Sequence, residues 1–437
     1  MKKIFINTLE NYFNQEIEVS GFIDNIRDLQ YVQFLILRDG TGKVQVTIEK
    51  NDDNKVLNEL VSSLALESTI TVTGKLLESP KVKLGGKELI PSKIDVTSTS
   101  LPELPIDIKD KEKTLRETRL DYRFLDLRRE ENNLLFKCQT LVEQAMREYW
   151  NGNDYIEIHS PKIAGAAAEG GAELFKIDYF GTPAVLSQSP QLYKQMAMAS
   201  GFNKVFEIGQ VFRAENSHTS YHATEILMVD AEISWIDGVE DVMDMQEAWA
   251  KHFMTRLKET YGEEIKRVYN VEVSDVAPAF PRITFAECKK ILKDSYNFIA
   301  VKDDDLERKE EELICKWAKE KYNSDFIFIT HYPVSARPFY TMAEGDGTTK
   351  SYDLLFKGIE ITSGAQREHR HDVLKQQIID KGINPETLTF YLDFFKYGCP
   401  PHGGFGFGLS RMMMLIFEID NIREATFIYR GPTRLNP

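Results

Sequence analysis

Apolar and polar positions alternate in short runs over residues 16–98. Five stretches are rich in Val, Ile and Thr, as β-strands are: EIEVSGFI, YVQFLILRDG, KVQVTIEK, STITVTGKLLES and KELIPSKIDVTS. Asp39-Gly40 and Thr41-Gly42 predict a hairpin turn between the second and third stretches, and NKVLNELVSSLA is helical in pattern. Five short strands with one helix predict a small closed all-β barrel, such as an OB-fold, over residues 1–100.

The rest of the chain mixes helical and strand patterns. Residues 101–131 contain prolines and dense mixed charge, which is typical of a hinge or linker. The segment NNLLFKCQTLVEQAMREYW then places apolar residues at helical spacing, and strands around single helices follow. Because helices and strands do not alternate regularly, we predict an α+β domain on an antiparallel sheet over residues 132–437. The charge run Asp303–Glu312 is interpreted as the solvated face of a helix.

Composition narrows the class of protein. The 437 residues include 54 basic and 68 acidic side chains, a net charge of −14, and 42% are apolar, which excludes disorder and a fibrous protein. The cysteines are scattered without a CxxC pair, so we expect no disulfide framework and no structural zinc. The N-terminus does not read as a signal peptide, and no apolar run reaches the roughly 18 residues of a membrane span. We expect a cytoplasmic protein with no membrane partner.

Candidate chemistry lies in three segments. Arg213 and Glu215 stand two apart after an apolar strand, and Asp230 follows on the next strand. Asp353, Glu360, Ser363 and Arg367 lie in SYDLLFKGIEITSGAQR, and such hard oxygen ligands suit Mg²⁺ bound mostly through ATP phosphates. In PPHGGFGFGLSR, alternate glycines permit close backbone approach before a helix that carries Arg411. Taken alone, each segment can also be explained without a ligand site, by a salt bridge or by a tightly packed strand. No GxxxxGK[ST] loop occurs, so side chains must hold any nucleotide phosphates.

Together these segments are specific to one family. Their order along the chain is AAAEGGAELF, QSPQLYKQ, FRAE, YPVSARPFYTM, GIEITSGAQR and GFGFGLSR. In this order and over nearly its whole length, the chain resembles the class II aminoacyl-tRNA synthetases, most closely the archaeal-type aspartyl-tRNA synthetases. The resemblance implies ATP-dependent activation of L-aspartate and its transfer to the 3′-end of tRNA, with Mg²⁺ as cofactor. It also implies an anticodon-binding barrel, a class II catalytic domain and a homodimer built through the helix at 133–150.

The resemblance assigns roles residue by residue. Arg213 and Arg411 would be catalytic, contacting the α- and γ-phosphates. Aspartate would be bound by Glu169, Ser189, Gln191, Leu192, Tyr193, Lys194, Arg213, Asp230, Ser363 and Arg367. ATP would be bound by Arg213, Ala214, Glu215, Tyr221, His222, Ala223, Glu360, Gly408, Leu409, Ser410 and Arg411. Mg²⁺ would be held by Glu360, Ser363 and Asp353, and the tRNA anticodon by Arg27, Phe34, Gln45 and Lys83.

Lys194 and Asp230 together favour aspartate, because asparaginyl enzymes typically lack this lysine and carry glutamate in place of this aspartate. The alternatives are an asparaginyl-tRNA synthetase, a paralogue that adenylates aspartate for another acceptor, and an RNA-binding module with an inactive catalytic domain. His402 and Cys399 are interpreted as structural residues.

The chain departs from the family at several positions. Tyr221 stands where arginine is usual and Ser410 where an acidic residue is usual, and Ile226, Tyr429-Arg430-Gly431 and Gln30-Tyr31 also differ. Asp24 replaces an aromatic or histidine residue near Lys83, which occupies the position that discriminates between tRNAs. These departures favour an enzyme that charges tRNA(Asn) as well as tRNA(Asp).

Overall fold

The five strands near the N-terminus close into a barrel in the computed structural model, which describes residues 4–165 and 174–437. The strands are β1 (Glu16–Asp28), β2 (Val32–Asp39), β3 (Gly42–Glu49), β4 (Thr69–Glu78) and β5 (Lys87–Ser98), with helix α1 (Lys55–Ser63) before β4 and a 3₁₀ helix at Ile6–Tyr12. Their order around the barrel is β1-β2-β3-β5-β4, and only β3 and β5 pair in parallel. The predicted hairpin turn is confirmed between β2 and β3, where Asp39 Oδ1 accepts bonds from the N–H groups of Thr41 at 2.7 Å and Gly42 at 3.0 Å.

The barrel belongs to a compact unit, Met1–Leu115, and the rest of the chain forms a second, Arg116–Pro437. The division falls inside the stretch 101–131. In the second unit the helices are α2 (Arg116–Asp121), α3 (Arg123–Asp126), α4 (Glu130–Asn151), α5 (Gln191–Ala199), α6 (Val239–Tyr269), α7 (Phe285–Tyr296), α8 (Arg308–Tyr322), α9 (His371–Asp380), α10 (Thr389–Lys396), α11 (Leu409–Ile416) and α12 (Ile422–Ala425). No helix within residues 4–165 and 174–437 is both long and apolar enough to span a bilayer.

The strands in the described part of the second unit are β6 (Ile156–Glu157), β7 (Ile163–Ala164), β8 (Lys176–Tyr179), β9 (Thr182–Leu186), β10 (Lys204–Phe212), β11 (Glu225–Ser234), β12 (Arg282–Thr284), β13 (Phe326–Thr330), β14 (Ser351–Phe356), β15 (Ile359–Gln366) and β16 (His402–Gly408). Eight of them form one sheet in the order β12-β13-β14-β15-β16-β11-β10-β6. Pairing is antiparallel except at the two edges. The predicted α+β class with an antiparallel sheet is confirmed.

The glycines of β16 separate two faces of this sheet. Phe405 and Phe407 point to the core, where their rings lie 5.4 and 5.0 Å from that of Trp249 on α6, which in turn stacks on Trp150 of α4 at 4.9 Å. Successive residues of a strand face opposite sides, so the glycines between them lie on the other face. A Cβ atom at Gly404 would overlap the Ala231 carbonyl oxygen and the Glu232 carboxylate. Glycine here lets a buried charge approach the strand.

The interpretation of Asp303–Glu312 as a solvated helix face is wrong in part. Helix α8 begins only at Arg308, and Asp303–Asp305 precede it. Glu310 is fully buried and accepts a bond from Lys289 Nζ at 2.8 Å, and its other oxygen accepts from the Glu307 N–H at 2.9 Å. The carboxylate closes a capping box, which is why an acidic residue is buried at this helix start.

Candidate active site

A cavity of about 320 Å³ opens on the glycine face of the central strands. Among the residues proposed from sequence, its wall includes Ser189, Gln191, Arg213, Tyr221, Ala223, Asp230, Glu360, Ser363, Arg367, Gly408 and Arg411. The structure does not place Leu192, Tyr193, Lys194, Ala214, Glu215, His222, Asp353, Leu409 or Ser410 on that wall. Glu169 lies outside the described residues. One cavity therefore gathers side chains from four distant segments of the chain.

Four buried charges meet at one end of this cavity. Lys194 Nζ, on α5, donates to Asp230 Oδ1 and to the Phe405 carbonyl, both at 2.8 Å, and lies 3.4 Å from Glu232. Arg367 donates from Nε to Glu232 Oε1 at 2.9 Å and from Nη2 to the Gly404 carbonyl at 2.8 Å. Two cations and two anions thus form a group with no net charge. Lys194 is only 2% exposed and lies behind Asp230.

Glu232 is the member of this group to which sequence reasoning gave no role. Burial alone would raise its pKa, but the charges of Arg367 and Lys194 hold the pKa of Glu232 below its usual value. The signal in the sequence was the spacing, since Asp230 and Glu232 are two apart on β11 and share a face. Arg367 Nη1 has no protein partner within the described ranges, and Arg367 lines the cavity, so this side chain can still bind an anion.

A second group contains oxygen ligands. Asp353 on β14 and Ser363 on β15 are direct cross-strand partners. Ser363 Oγ lies 2.7 Å from Asp353 Oδ1 and 3.0 Å from Glu360 Oε1. Arg337 Nη2, not assigned from sequence, donates to Asp353 Oδ2 at 2.7 Å. The structure therefore brings the three proposed Mg²⁺ ligands together.

The electrostatics of this group fit a cation. Burial and the charge of Asp353 raise the pKa of Glu360, and burial and the charge of Glu360 raise the pKa of Glu311 to about 8. A carboxyl group whose pKa is raised by a neighbouring carboxylate is stabilised in its charged form by a bound cation, and two carboxylates with a hydroxyl are the hard donors that Mg²⁺ prefers. Across the described part of the chain, no group of three His, Cys, Asp or Glu side chains suits a metal, so the ion would need further oxygens from a ligand.

Two arginines that line the cavity are held by different parts of the fold. Arg411, on α11, donates from Nη1 to the Glu360 carbonyl at 2.7 Å. Arg213 follows β10, and its backbone N–H donates to the Thr224 carbonyl at 2.9 Å. Guanidinium groups bind phosphate and carboxylate oxygens in a planar fork. The cavity therefore offers cations for a polyanion next to acidic ligands for a metal.

The loop after Arg213 is held by the C-terminal segment. Thr224 N–H donates to the Arg430 carbonyl at 3.0 Å, and the Tyr429 hydroxyl donates to the His222 carbonyl at 3.2 Å. Within the loop, His222 Nε2 lies 3.6 Å from Glu215 Oε2. The Tyr429-Arg430-Gly431 segment, which departs from the family pattern, thus supports the loop through the Tyr429 hydroxyl and the Arg430 carbonyl.

His402 is fully buried and does not line the cavity. Its Nδ1–H donates to the Pro400 carbonyl at 2.8 Å, and Nε2 accepts from the Gln195 amide at 3.0 Å. Burial lowers the pKa of His402 to about 4, so the ring is neutral near pH 7. Burial also raises the pKa of the Cys399 thiol to about 12. Neither side chain is therefore suited to act as an acid, a base or a nucleophile.

The barrel carries a separate groove of about 740 Å³, and Arg27, Phe34, Gln45 and Lys83 all line it. Phe34 is half-buried on the groove wall and is not part of the barrel core. Asp24, also on the wall, is bound to Arg38 at 3.2 Å and to Lys43 at 3.0 Å. An aromatic face among cations is a surface that suits single-stranded nucleic acid.

Comparison with known proteins gives consistent matches. Residues 115–429 match the family described as tRNA synthetases class II (D, K and N), and residues 17–97 match the OB-fold nucleic acid binding domain. The chain is 42% identical over 430 residues to aspartate–tRNA(Asp) ligase of Pyrococcus abyssi, covering 98% of both chains. It is 43% identical over 424 residues to aspartate–tRNA(Asp/Asn) ligase of Methanopyrus kandleri, covering 97% of this chain and 96% of that one. The crystal structure of asparaginyl-tRNA synthetase from Pyrococcus horikoshii, complexed with asparaginyl-adenylate, superposes over the full length of both chains with a TM-score of 0.91 at 30% identity.

Proposed function

This chain belongs to the class II tRNA synthetases of the aspartate, lysine and asparagine group, and we propose that it is an aspartate–tRNA ligase. Full-length relatives at about 40% identity carry that name. The observation that carries the choice of amino acid is the balanced group of Lys194, Asp230, Glu232 and Arg367 at the cavity end. A side-chain carboxylate meets Arg367 there, whereas an amide leaves the remaining guanidinium donor without an anionic partner.

In the first step the α-carboxylate of aspartate attacks the α-phosphate of ATP and pyrophosphate leaves. Arg213 contacts the α-phosphate and the attacking carboxylate, so that its charge acts where negative charge accumulates in the transition state. Arg411 binds the γ-phosphate and Glu215 accepts from the adenine amino group. Because ATP and aspartate are held together, positioning supplies most of the rate enhancement.

Asp353, Glu360 and Ser363 would hold Mg²⁺, which when bound offsets the charge on the phosphate oxygens. The Arg411 side chain is anchored on the backbone of Glu360, so the phosphate-binding cation and the metal ligand share one support. Gln191 connects the substrate side to the interior, since its amide donates to Gln195 Oε1 at 2.9 Å. These side chains are therefore held in position before either substrate binds.

In the second step a ribose hydroxyl at the 3′-end of the tRNA attacks the carbonyl of the aspartyl-adenylate and AMP leaves. The domain at 132–437 performs both steps, and the barrel at 1–100 binds the anticodon through Arg27, Phe34, Gln45 and Lys83, with 101–131 as the hinge. We propose that both tRNA(Asp) and tRNA(Asn) are charged and that the enzyme is a homodimer through α4. Support for relaxed tRNA choice comes from Asp24, which lies on the groove wall where the family usually has an aromatic or histidine residue and pairs with Arg38 and Lys43.

ATP–pyrophosphate exchange with aspartate and with asparagine tests the amino acid. We expect exchange with aspartate, and we expect Arg367→Gln to abolish it. Arg370→Gln is the matched control, because Arg370 is an exposed arginine three positions along that pairs with Glu368. Faster exchange with asparagine would identify an asparaginyl enzyme.

Attachment of labelled aspartate to bulk tRNA, and then to transcripts of the two tRNAs at one salt concentration, tests the acceptor. Exchange without attachment would favour the paralogue, and neither activity would favour the RNA-binding module. A preference of about a hundredfold or more for tRNA(Asp), equivalent to about 2.7 kcal/mol, would refute relaxed specificity. Light scattering after size-exclusion chromatography tests the dimer.

A further inference from the structure

Tyr221 and Arg308 form a pair beside the cavity. Tyr221 lies on the loop between β10 and β11 and lines the cavity wall, as Glu360 and Arg411 do. Arg308 is the first residue of α8 and is not on that wall. Its guanidinium carbon lies 4.7 Å from the centre of the Tyr221 ring, and Nη2 lies 3.5 Å from the Tyr221 hydroxyl. A cation over an aromatic face is attracted to the negative face of the ring.

The guanidinium of Arg308 has a firm support on its other side. Nη1 donates to the Gly358 carbonyl at 2.6 Å, in the turn that joins β14 to β15. Gly358 has a φ of +82°, and a Cβ atom there would lie 3.1 Å from Glu312 Cα, so helix α8 is packed closely on this turn. Glu360, two residues further on, is one of the proposed Mg²⁺ ligands. Arg308 thus joins the turn that precedes Glu360 to the loop that carries Tyr221.

Arg308 also has carboxyl neighbours on its own helix. Its guanidinium lies 3.4 Å from Glu312 and 3.6 Å from Glu311. With the Gly358 carbonyl on Nη1, these contacts leave the face of the guanidinium against the Tyr221 ring.

We propose that Arg308 is a positioning residue that acts through Tyr221: it fixes the tyrosine ring, and with it the loop after Arg213, against bound ATP. The inference rests on the proposed function in placing the ATP phosphates beside Glu360 and Arg411. Arg308 itself does not touch the nucleotide. Its loss leaves Tyr221 free to turn from the wall, which weakens ATP binding and leaves aspartate binding unchanged.

Calorimetric titration of ATP in the presence of Mg²⁺ measures this directly in the full chain. We expect Arg308→Ala to raise the Kd for ATP by about three- to tenfold, the size of a cation–π contact at a partly exposed site. Arg308→Lys should recover most of the affinity, because a lysine ammonium can also lie over the ring. Lys309→Ala is the matched control, since Lys309 is the adjacent cation and pairs with Glu312 at 3.0 Å.

A double-mutant cycle separates this role from simple anchoring of the turn. Tyr221→Leu should weaken ATP binding as Arg308→Ala does, Tyr221→Phe should change it little because the ring remains, and the double variant should be no worse than either single. In exchange assays KM for ATP should rise while KM for aspartate stays constant, and equal melting temperatures exclude misfolding.

An unchanged Kd for Arg308→Ala, or effects of the two substitutions that multiply, would overturn the inference. The titration needs no turnover. A wild-type chain that binds ATP but exchanges no pyrophosphate with aspartate would therefore overturn the ligase proposal alone, whereas normal exchange with no effect of Arg308 would overturn only this inference.

Discussion

Replacing Lys194 with leucine removes one of the four charges at the end of the active-site cavity. In the wild-type chain Lys194 and Arg367 balance Asp230 and Glu232, and Asp230 bonds directly to the lysine at 2.8 Å. Without the lysine, Arg367 alone faces two buried carboxylates. The group then carries a net charge of −1 before aspartate arrives, and the substrate carboxylate brings a second negative charge.

The size of the effect follows from this balance. Two unit charges about 6 Å apart in a medium of effective dielectric constant about 20 interact by about 3 kcal/mol. Losing that amount of attraction lowers kcat/KM for aspartate roughly a hundredfold. Asparagine carries no such charge, so discrimination between the two amino acids should fall by a similar factor. Breaking a buried ion pair should also lower the free energy of unfolding by about 3–5 kcal/mol.

Pyrophosphate exchange with both amino acids, together with calorimetric titration of ATP, measures these effects. The double variant Lys194→Leu/Asp230→Asn restores neutrality, and we expect it to recover at least about tenfold in kcat/KM for aspartate over the single variant. Lys289→Leu is the matched control. It breaks an equivalent pair with the fully buried Glu310, away from the cavity, and should reduce stability without changing aspartate activation.

Normal aspartate activation by Lys194→Leu would refute the assignment of this pocket. A double variant no better than the single would refute the charge argument and leave only the shape of the lysine side chain to explain the loss. ATP affinity should stay near the wild-type value in Lys194→Leu, because Lys194 lies behind Asp230 and does not line the cavity.

Three further predictions concern other parts of the chain. Phe34→Ala should weaken tRNA binding in a filter assay by roughly 1–3 kcal/mol and leave tRNA-independent exchange unchanged; normal tRNA affinity would remove Phe34 from the interface. The pKa of His402 is about 4 in the folded chain against 6.5 in the unfolded chain, so the unfolded chain binds more protons between these pH values. The free energy of unfolding should therefore fall by about 3 kcal/mol as the pH drops from 6.5 to 4. Urea unfolding at pH 7 and 4.5 tests this, and His402→Gln should lose that component of the slope. Gly404→Ala should lower the free energy of unfolding by about 1–3 kcal/mol, because its Cβ has no room beside Glu232; wild-type stability in urea would contradict the overlap.

Patterns that depend on neighbours in sequence were sufficient for the barrel and the sheet class. The alternation in KVQVTIEK already determines which side chains enter the barrel core, and Asp39-Gly40 determines the turn. In YVQFLILRDG it does not, because Gln33 is only 1% exposed while Phe34 lies outside the core. Contacts between residues that are close in space but far apart along the chain were harder to predict. The resemblance assigned Lys194 and Asp230 to the same substrate, and in the structure the two side chains are bonded to each other.

Glu232 and Arg308 were given no role from sequence for the same physical reason, which is that their partners are distant along the chain. The partner of Glu232 is Arg367, and nothing local distinguishes it from Asp230, two residues before it on the same face of β11. Arg308 stands in a run of charges that suggests a solvated surface, and only packing on the Gly358 turn brings it to Tyr221. Arg337 was likewise missed, because its partner Asp353 is reached only when β14 is placed in the sheet.

The position of β16 in the sheet has a consequence for how the enzyme is synthesised. It is the last strand in the chain, yet it lies between β11 and β15, and Ile233 pairs with Gly403 across a long stretch of intervening sequence. A nascent chain that stops short of residue 402 exposes two unpaired strand edges at the middle of the future sheet, which are sites for aggregation. It also lacks the Gly404 and Phe405 carbonyls that hold Arg367 and Lys194. An incompletely translated chain therefore lacks part of the backbone that supports the proposed aspartate pocket, and it exposes strand edges that can pair with another chain.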